Sequence, residues 1–233
     1  MVKYKLRIID IIEEAFGVKT YLLEKPIDLT WVEGAHMHVG LPVFDEGELP
    51  NKELVRHMSI MTLPEENKIG FTTKVLSPFS EFKEKLSKLQ IGDEVTLFKI
   101  GSRMFLRRED RPIILVSMGV GITTMRPLIY KFIKDQTGIS KLININVNSS
   151  KKFTFKEELD NLQNSFYQND WMASRDSFYE ELDKASRQPD GIYYIVGSDA
   201  FIKEVIRYLK SKRIEESSIL IDKKAEQLAN YFN

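Results

Sequence analysis

The first hundred residues carry apolar positions in short bursts. "YKLRIIDII" (4–12), "VKTYLLE" (18–24), "HMHVGLP" (36–42), "LVRHMSIM" (54–61), "KIGFTTKVL" (68–76) and "DEVTLFKI" (93–100) are rich in β-branched and aromatic residues. Gly, Pro, Asp or Asn bound them, the residues that turn a chain between strands. Regular short strands of this kind predict an antiparallel barrel or sandwich. One stretch breaks the rhythm. In "SPFSEFKEKLSKLQIGD" (77–93), Phe79, Phe82, Leu86 and Leu89 recur at helical spacing, with Ser80 placed to cap the start and Gly92 the end.

Beyond about residue 110 the period changes. "RPIILVSM" (111–118) is a continuous apolar strand, followed by a helix through "RPLIYKFIKDQTG" (126–138). "KLININV" (141–147) predicts a strand, "FKEELDNLQNSF" (155–166) a helix, and the stretch to "SFYEELDKA" (177–185) is less clear. "GIYYIVG" (191–197) is a further strand. "DAFIKEVIRYLKSKRI" (199–214) is a helix with Phe201, Ile202, Val205, Ile206 and Leu209 on one face. Buried strands alternating with amphipathic helices predict a doubly wound α/β parallel sheet.

Composition narrows the chemistry. The 233 residues include 34 Lys+Arg and 34 Asp+Glu, so the formal net charge is zero, which argues against a nucleic-acid partner. There are no cysteines. That removes disulfides, thiol catalysis and Cys-held zinc or iron–sulfur clusters, and fits a reducing, cytoplasmic setting. No apolar run approaches the length of a membrane span. His36, His38 and His57 are too few and too loosely placed for a metal site, and none is assigned. The acid pairs Glu13-Glu14, Glu157-Glu158 and Glu180-Glu181 read as charged surface.

Two glycine turns carry candidate chemistry. Gly119-Val120-Gly121-Ile122-Thr123-Thr124 follows a strand and precedes a helix, the context of a phosphate-binding turn. Glycines admit a pyrophosphate close to the backbone, and the N–H groups of a helix start attract negative charge. Thr123 or Thr124 is placed to cap the helix, with Pro127 in its first turn. Against this, Thr124 occupies the third glycine position of the dinucleotide fingerprint, and a plain strand-to-helix turn explains the motif equally well. Gly197-Ser198-Asp199 ends a second parallel strand, where a helix cap by Ser198 or Asp199 is the simple alternative. Two such strand ends opening on one crevice favour a ligand.

In order and content the segments resemble the ferredoxin–NADP reductase superfamily, as a flavin and nicotinamide module without an iron–sulfur domain. "VEGAHMHVGLP", "VRHMSI", "SPFSEFKEKL", "VSMGVGITTMRPLI", "SSKKFTFKEELDNL" and "YYIVGSDAFIKEV" are similar, in sequence, to six of its motifs. The resemblance implies a flavin-binding β-barrel domain over 1–109 and a nicotinamide-nucleotide-binding α/β domain over 110–233, with the cofactors meeting between them. It implies hydride transfer from NAD(P)H to FAD, FMN being compatible, with the protein positioning the cofactors. Arg56 would pair with flavin phosphate. Ser59 would donate a hydrogen bond near flavin N5, the one catalytic assignment. Met58 takes the place of the family's ring-stacking Tyr, and His57 lies beside it. Ser77 and Ser80 would hold the pyrophosphate or ribityl chain, with Thr73 and Phe79 in the same contact set. Gly119, Val120, Gly121, Ile122, Thr123, Gly197, Ser198 and Asp199 would line the nicotinamide nucleotide.

Ser117-Met118 replaces the family's usual glycine start, and Val196 its cysteine. After the next strand, Ser149, Ser150, Lys151 and Lys152 supply hydroxyls and cations where a carboxylate would favour NAD, so NADPH is preferred over NADH. Electrons would leave to a separate ferredoxin, flavodoxin, oxygenase component or small acceptor. The basic runs "KEKLSK" and "RYLKSKR" read as solvated faces or as docking for an acidic redox partner. A flavin-binding module without hydride transfer, and a reductase using flavin as substrate, are the alternative readings.

Overall fold

The computed structural model describes residues 2–232. The chain divides into two compact units, the first ending at Ser102 and the second beginning at Arg103.

The first unit is a single antiparallel sheet. Its strands are β1 (Lys3–Ala15), β2 (Val18–Glu24), β3 (Ala35–Gly40), β4 (Val55–Ser59), β5 (Lys68–Lys74) and β6 (Glu94–Ser102), in the order β4-β3-β6-β1-β2-β5. The edge strands are drawn together where the Met61 N–H donates to the Gly70 carbonyl at 2.8 Å. A Cβ at Gly70 would lie 2.6 Å from the Met61 sulfur and 2.9 Å from Leu22 Cδ2, so any larger residue would displace those side chains. The barrel-like interior is filled by alternate residues, among them Leu6, Ile8, Tyr21, Leu23, Met37, Val39, Phe71, Val95 and Leu97. Helix α1 (Glu81–Lys88) inserts Phe82 and Leu86 into that core. It starts as expected, on Ser80. It ends earlier than expected: Leu89 turns extended, and Gly92 (φ +99°) serves the following turn. Phe79 precedes the helix and is exposed.

The second unit is a parallel sheet of β7 (Arg111–Met118), β8 (Ile139–Val147), β9 (Tyr167–Met172), β10 (Ile192–Val196) and β11 (Ile219–Ile221), in the order β11-β10-β7-β8-β9. Residues 103–110 lead into it and are tied to it: Tyr194 Oη accepts from Arg107 N and donates to the Phe105 carbonyl. Helix α2 (Ile122–Lys134) packs on β7 and β8. Helices α4 (Arg175–Ser186) and α5 (Asp199–Ser211) bury Phe178, Leu182, Phe201, Val205 and Leu209 against Ile114, Val116, Ile143 and Ile145. The expected helix over 155–166 shrinks to α3 (Lys156–Asp160). The Asp160 carboxylate accepts from Asn169 Nδ2 at 2.8 Å and Trp171 Nε1 at 2.7 Å, pulling the chain down onto β9. Strand β9 was hidden in sequence by its polar composition, and β11 and the terminal α6 (Ala229–Phe232) by their shortness. Among the described residues no helix is long and apolar enough to cross a membrane.

Tyr21 and Phe71 pair directly across β2 and β5, their rings stacked at 5.2 Å and fully buried. Phe71→Ala is expected to destabilise the first unit by about 3–5 kcal/mol, read by urea unfolding. A loss below about 1 kcal/mol would contradict this packing.

Candidate functional site

On β4, strand alternation puts Arg56 and Met58 on one face, and His57 and Ser59 on the other. The Arg56 guanidinium lies over the Phe82 ring at 5.5 Å and is held beside α1. Its Nη1 donates to the carbonyls of Val55 (2.7 Å), Glu53 (3.1 Å) and Lys52 (3.3 Å). Met58 packs against the barrel core. His57 pairs with His38 and lies 4.5 Å, ring to ring, from His36, while Ser59 pairs with His36 across the strands. The four residues of the Arg-x-x-Ser segment thus reach both faces of an edge strand. Among the described residues, no group of three or more His, Cys, Asp or Glu is arranged to hold a metal.

Three cations of the first unit gather at the start of α1. Ser80 Oγ accepts from Lys83 N at 3.4 Å, capping the helix. The Lys83 ammonium sits below the ordinary lysine pKa, first because it is partly buried, then because Lys74 and Arg56 repel it. The acids of the helix are occupied further along, Glu81 with Lys85 at 3.1 Å and Glu84 with Lys88 at 2.8 Å. A helix N-terminus with three cations sharing one field is suited to a phosphate. Ser77 and Phe79 are exposed in the loop leading to it, whereas Thr73 is buried in the wall of β5 opposite Lys19. Sequence reasoning missed Lys74 and Lys83. Their signal was a lysine at a strand end and another in the first turn of the helix after it. A separate groove of about 450 Å³ near Phe44 has its cations engaged, Lys3 with Asp45 at 2.6 Å and Lys5 with Glu94 at 2.9 Å.

In the second unit the strand order reverses direction between β7 and β10, the switch point where open α/β sheets bind ligands. Both glycine turns stand there. Gly119 adopts φ +55°, and the space its side chain would fill is open to 4 Å. At Gly121 a Cβ would lie 2.8 Å from the Val196 carbonyl oxygen, so the two turns abut. Neither threonine caps α2, contrary to expectation. The helix begins at Ile122 with Gly121 as its cap, which carries Thr123 and Thr124 into the buried first turn. Pro127 falls in the second turn rather than the first and brings no N–H for the Thr123 carbonyl. Thr123 Oγ1 is buried without a hydrogen-bond partner among the described residues.

At the other turn, Gly197 is required by Phe201, whose ring would meet a Cβ at 2.5 Å. Ser198 caps α5, its Oγ accepting from Phe201 N at 3.3 Å. Asp199 accepts from Lys223 Nζ at 2.7 Å and from Tyr231 Oη at 2.9 Å. Those bonds, the lysine's first, hold its carboxyl below the usual range. After β8, Asn148 organises the next loop: its Oδ1 accepts from Ser150 N and Ser150 Oγ, and its Nδ2 donates to the Lys152 carbonyl at 2.8 Å. Ser149, Ser150, Lys151 and Lys152 are exposed on it, beside the strand that carries the first glycine turn.

No family model matches the chain. The flavohemoprotein of Vibrio cholerae serotype O1 is 26% identical over 144 residues, 57% of this chain, and the match spans only 36% of that protein. Among solved structures, the FAD/NAD-binding domain of nitric oxide dioxygenase from Vibrio cholerae has a TM-score of 0.74 at 18% identity, covering 94% of this chain and 97% of that one. A ferredoxin NADP+ reductase from Neisseria gonorrhoeae, with bound FAD and NADP, reaches 0.78 at 13% identity over 94% and 98%. The CS-b5R domains of human Ncb5or, in the NAD+ form, reach 0.77 at 18% identity over 95% and 70%. The barrel-plus-parallel-sheet architecture expected from the sequence is therefore the fold that these structures share with this chain.

A phosphate docked on α1 would raise the depressed pKa of Lys83. Were that phosphate FAD's, FAD affinity would be flat below the free protein's Lys83 pKa and would fall as pH rises through it, because binding must take up a proton. Lys83→Met is expected to weaken FAD about tenfold at neutral pH and to abolish that pH dependence, as read by quenching of flavin fluorescence. Unchanged affinity at both pH extremes would contradict the assignment.

Proposed function

We propose that the chain is a flavin-dependent oxidoreductase module that uses NAD(P)H and passes electrons to a separate acceptor. The observation that carries this reading is the pair of abutting glycine turns at the switch point, with open space beside Gly119 and an unpartnered Thr123 hydroxyl below. The cation cluster on α1 supports a flavin phosphate in the other unit. When bound, the nicotinamide and flavin supply the redox chemistry as a hydride transfer to flavin N5.

The chain's own residues bind and orient. Arg56, Lys74 and Lys83 neutralise the flavin phosphates, and the N–H groups at the start of α1, with the Ser77 and Ser80 hydroxyls, donate hydrogen bonds to their oxygens. Thr73 and Phe79 belong to the wall around that site. Met58 lies along the ring as a polarisable thioether, and Ser59 donates beside N5. His57 shares the Ser59 face of β4, opposite Met58. Val120 presents its backbone N–H and Thr123 its hydroxyl to the dinucleotide, and Gly119, Gly121 and Gly197 permit its approach. Ile122, whose N–H is spent on the Gly119 and Val120 carbonyls, lines the turn. Ser198 and Asp199 fix the start of α5 beside it. The exposed Ser149, Ser150, Lys151 and Lys152 face a 2′-phosphate, which favours NADPH.

The test is an anaerobic titration of FAD-loaded protein with NADPH and then NADH, following the visible flavin band. NADPH is expected to bleach the flavin at the lower concentration. Lys151→Ala/Lys152→Ala should weaken NADPH about tenfold and leave NADH within about twofold. A bound flavin that stays oxidised with both nucleotides would point instead to a flavin-binding module without hydride transfer.

A further inference from the structure

We infer that Asn146 sets the direction of a backbone donor in the nucleotide cradle, so that this buried amide is a positioning residue for the dinucleotide pyrophosphate. The inference rests on the reading of the β7–α2 turn as the nicotinamide-nucleotide site.

Ser117 and Asn146 face each other in register on β7 and β8, and both are buried. Asn146 Nδ2 lies 2.8 Å from Ser117 Oγ, 3.2 Å from the Gly119 carbonyl oxygen and 3.4 Å from the Ser117 carbonyl oxygen. Its two hydrogens therefore bridge a rigid strand to the first residue of the glycine turn. In a trans peptide the carbonyl and the following N–H point in opposite directions. The Ile122 N–H donates to the same carbonyl from within the turn, and Asn146 holds it from the neighbouring strand; held inward, the Gly119 carbonyl turns the Val120 N–H outward. That N–H belongs to the opening turn of helical structure, where no intrahelical acceptor exists. It is the kind of group that receives a phosphate oxygen. The space beside Gly119 is open, so an anion can approach.

The same contact gives Ser117 a purpose. A glycine there would leave Asn146 with backbone oxygens alone, whereas the hydroxyl supplies a close acceptor that fixes the amide's rotation. The departure from the usual glycine start thus comes with its own brace, built from a neighbouring strand. Neither residue touches the dinucleotide itself. Both act through the peptide plane between Gly119 and Val120.

The test uses FAD-loaded protein and three readouts: calorimetric Kd for NADP+ and NAD+, the limiting rate of flavin reduction, and the Val120 amide resonance. In the unmodified protein, adding the nucleotide is expected to shift Val120 strongly. Asn146→Ala should raise Kd about tenfold, remove that shift, and leave the limiting rate within about twofold. Asn146→Asp keeps the volume but turns a donor towards the Gly119 carbonyl into an acceptor, so it should weaken binding further; it carries the test if the alanine variant does not fold. Ser117→Ala should weaken binding two- to threefold, roughly the loss of one acceptor of three.

Unchanged Kd in either folded Asn146 variant would overturn the inference while leaving the reductase reading intact. So would a Val120 resonance that ignores the nucleotide, or a limiting rate that falls while Kd does not. An unmodified protein that binds neither nucleotide would overturn the functional reading, and this inference with it.

Discussion

The contact that organises the nucleotide half is the approach of Gly121 to the Val196 carbonyl. A methyl group at Gly121 would sit 2.8 Å from that oxygen, so β7 and β10 could not both run out to the same level. Because they do, the two strand ends stand side by side where the sheet order reverses. Everything of chemical interest in this unit is referred to that meeting. Helix α2 begins at Ile122 and sends Thr123 inward. The cap by Ser198 starts α5 from the neighbouring strand, and Asn146 braces the turn from the third. The site is built from rigid strand ends rather than loops, which is how a backbone cradle keeps its geometry without its ligand.

The barrel half follows a different logic. Its interior is apolar, and three of its cations gather outside, at the start of one short helix. Phe82 and Leu86 anchor α1 in the core, and Arg56 stacks on that same Phe82. Burial of the helix therefore also positions a guanidinium at its N-terminal end. Lys74 and Lys83 add charge there, and the pKa of Lys83 is lowered first by its partial burial and then by that neighbouring charge. Glu53 answers part of that charge, with Arg56 Nη2 3.3 Å from its carboxylate, and an anion at the helix start would answer more of it.

Much of the fold was legible in the pattern. All six strands of the barrel and the Ser80 cap were readable because alternation, turn residues and capping chemistry agree there. The errors have physical causes. Strand β9 reads Tyr-Gln-Asn-Asp-Trp-Met, with polar groups on both faces: Asn169 is satisfied by Asn144 and Asp160, so burial does not show as hydrophobicity. The threonines of the glycine turn look like caps until the helix is found to start one residue before them. Lys74 and Lys83 were passed over because surface lysines are ordinary, and only their shared field with Arg56 sets them apart. Asn146 was invisible for a deeper reason: its role depends on the register of β8 against β7, which no local spacing encodes.

The central claim is that each unit holds its own half of a flavin–nicotinamide pair. Hydrogen–deuterium exchange, recorded separately with FAD and with NADP+ on the full chain, tests it most directly. The account requires FAD to protect the amides around 55–59 and 77–83, and NADP+ to protect those around 119–124, 148–152 and 197–199. Protection of neither set, or of the same set by both ligands, would contradict it.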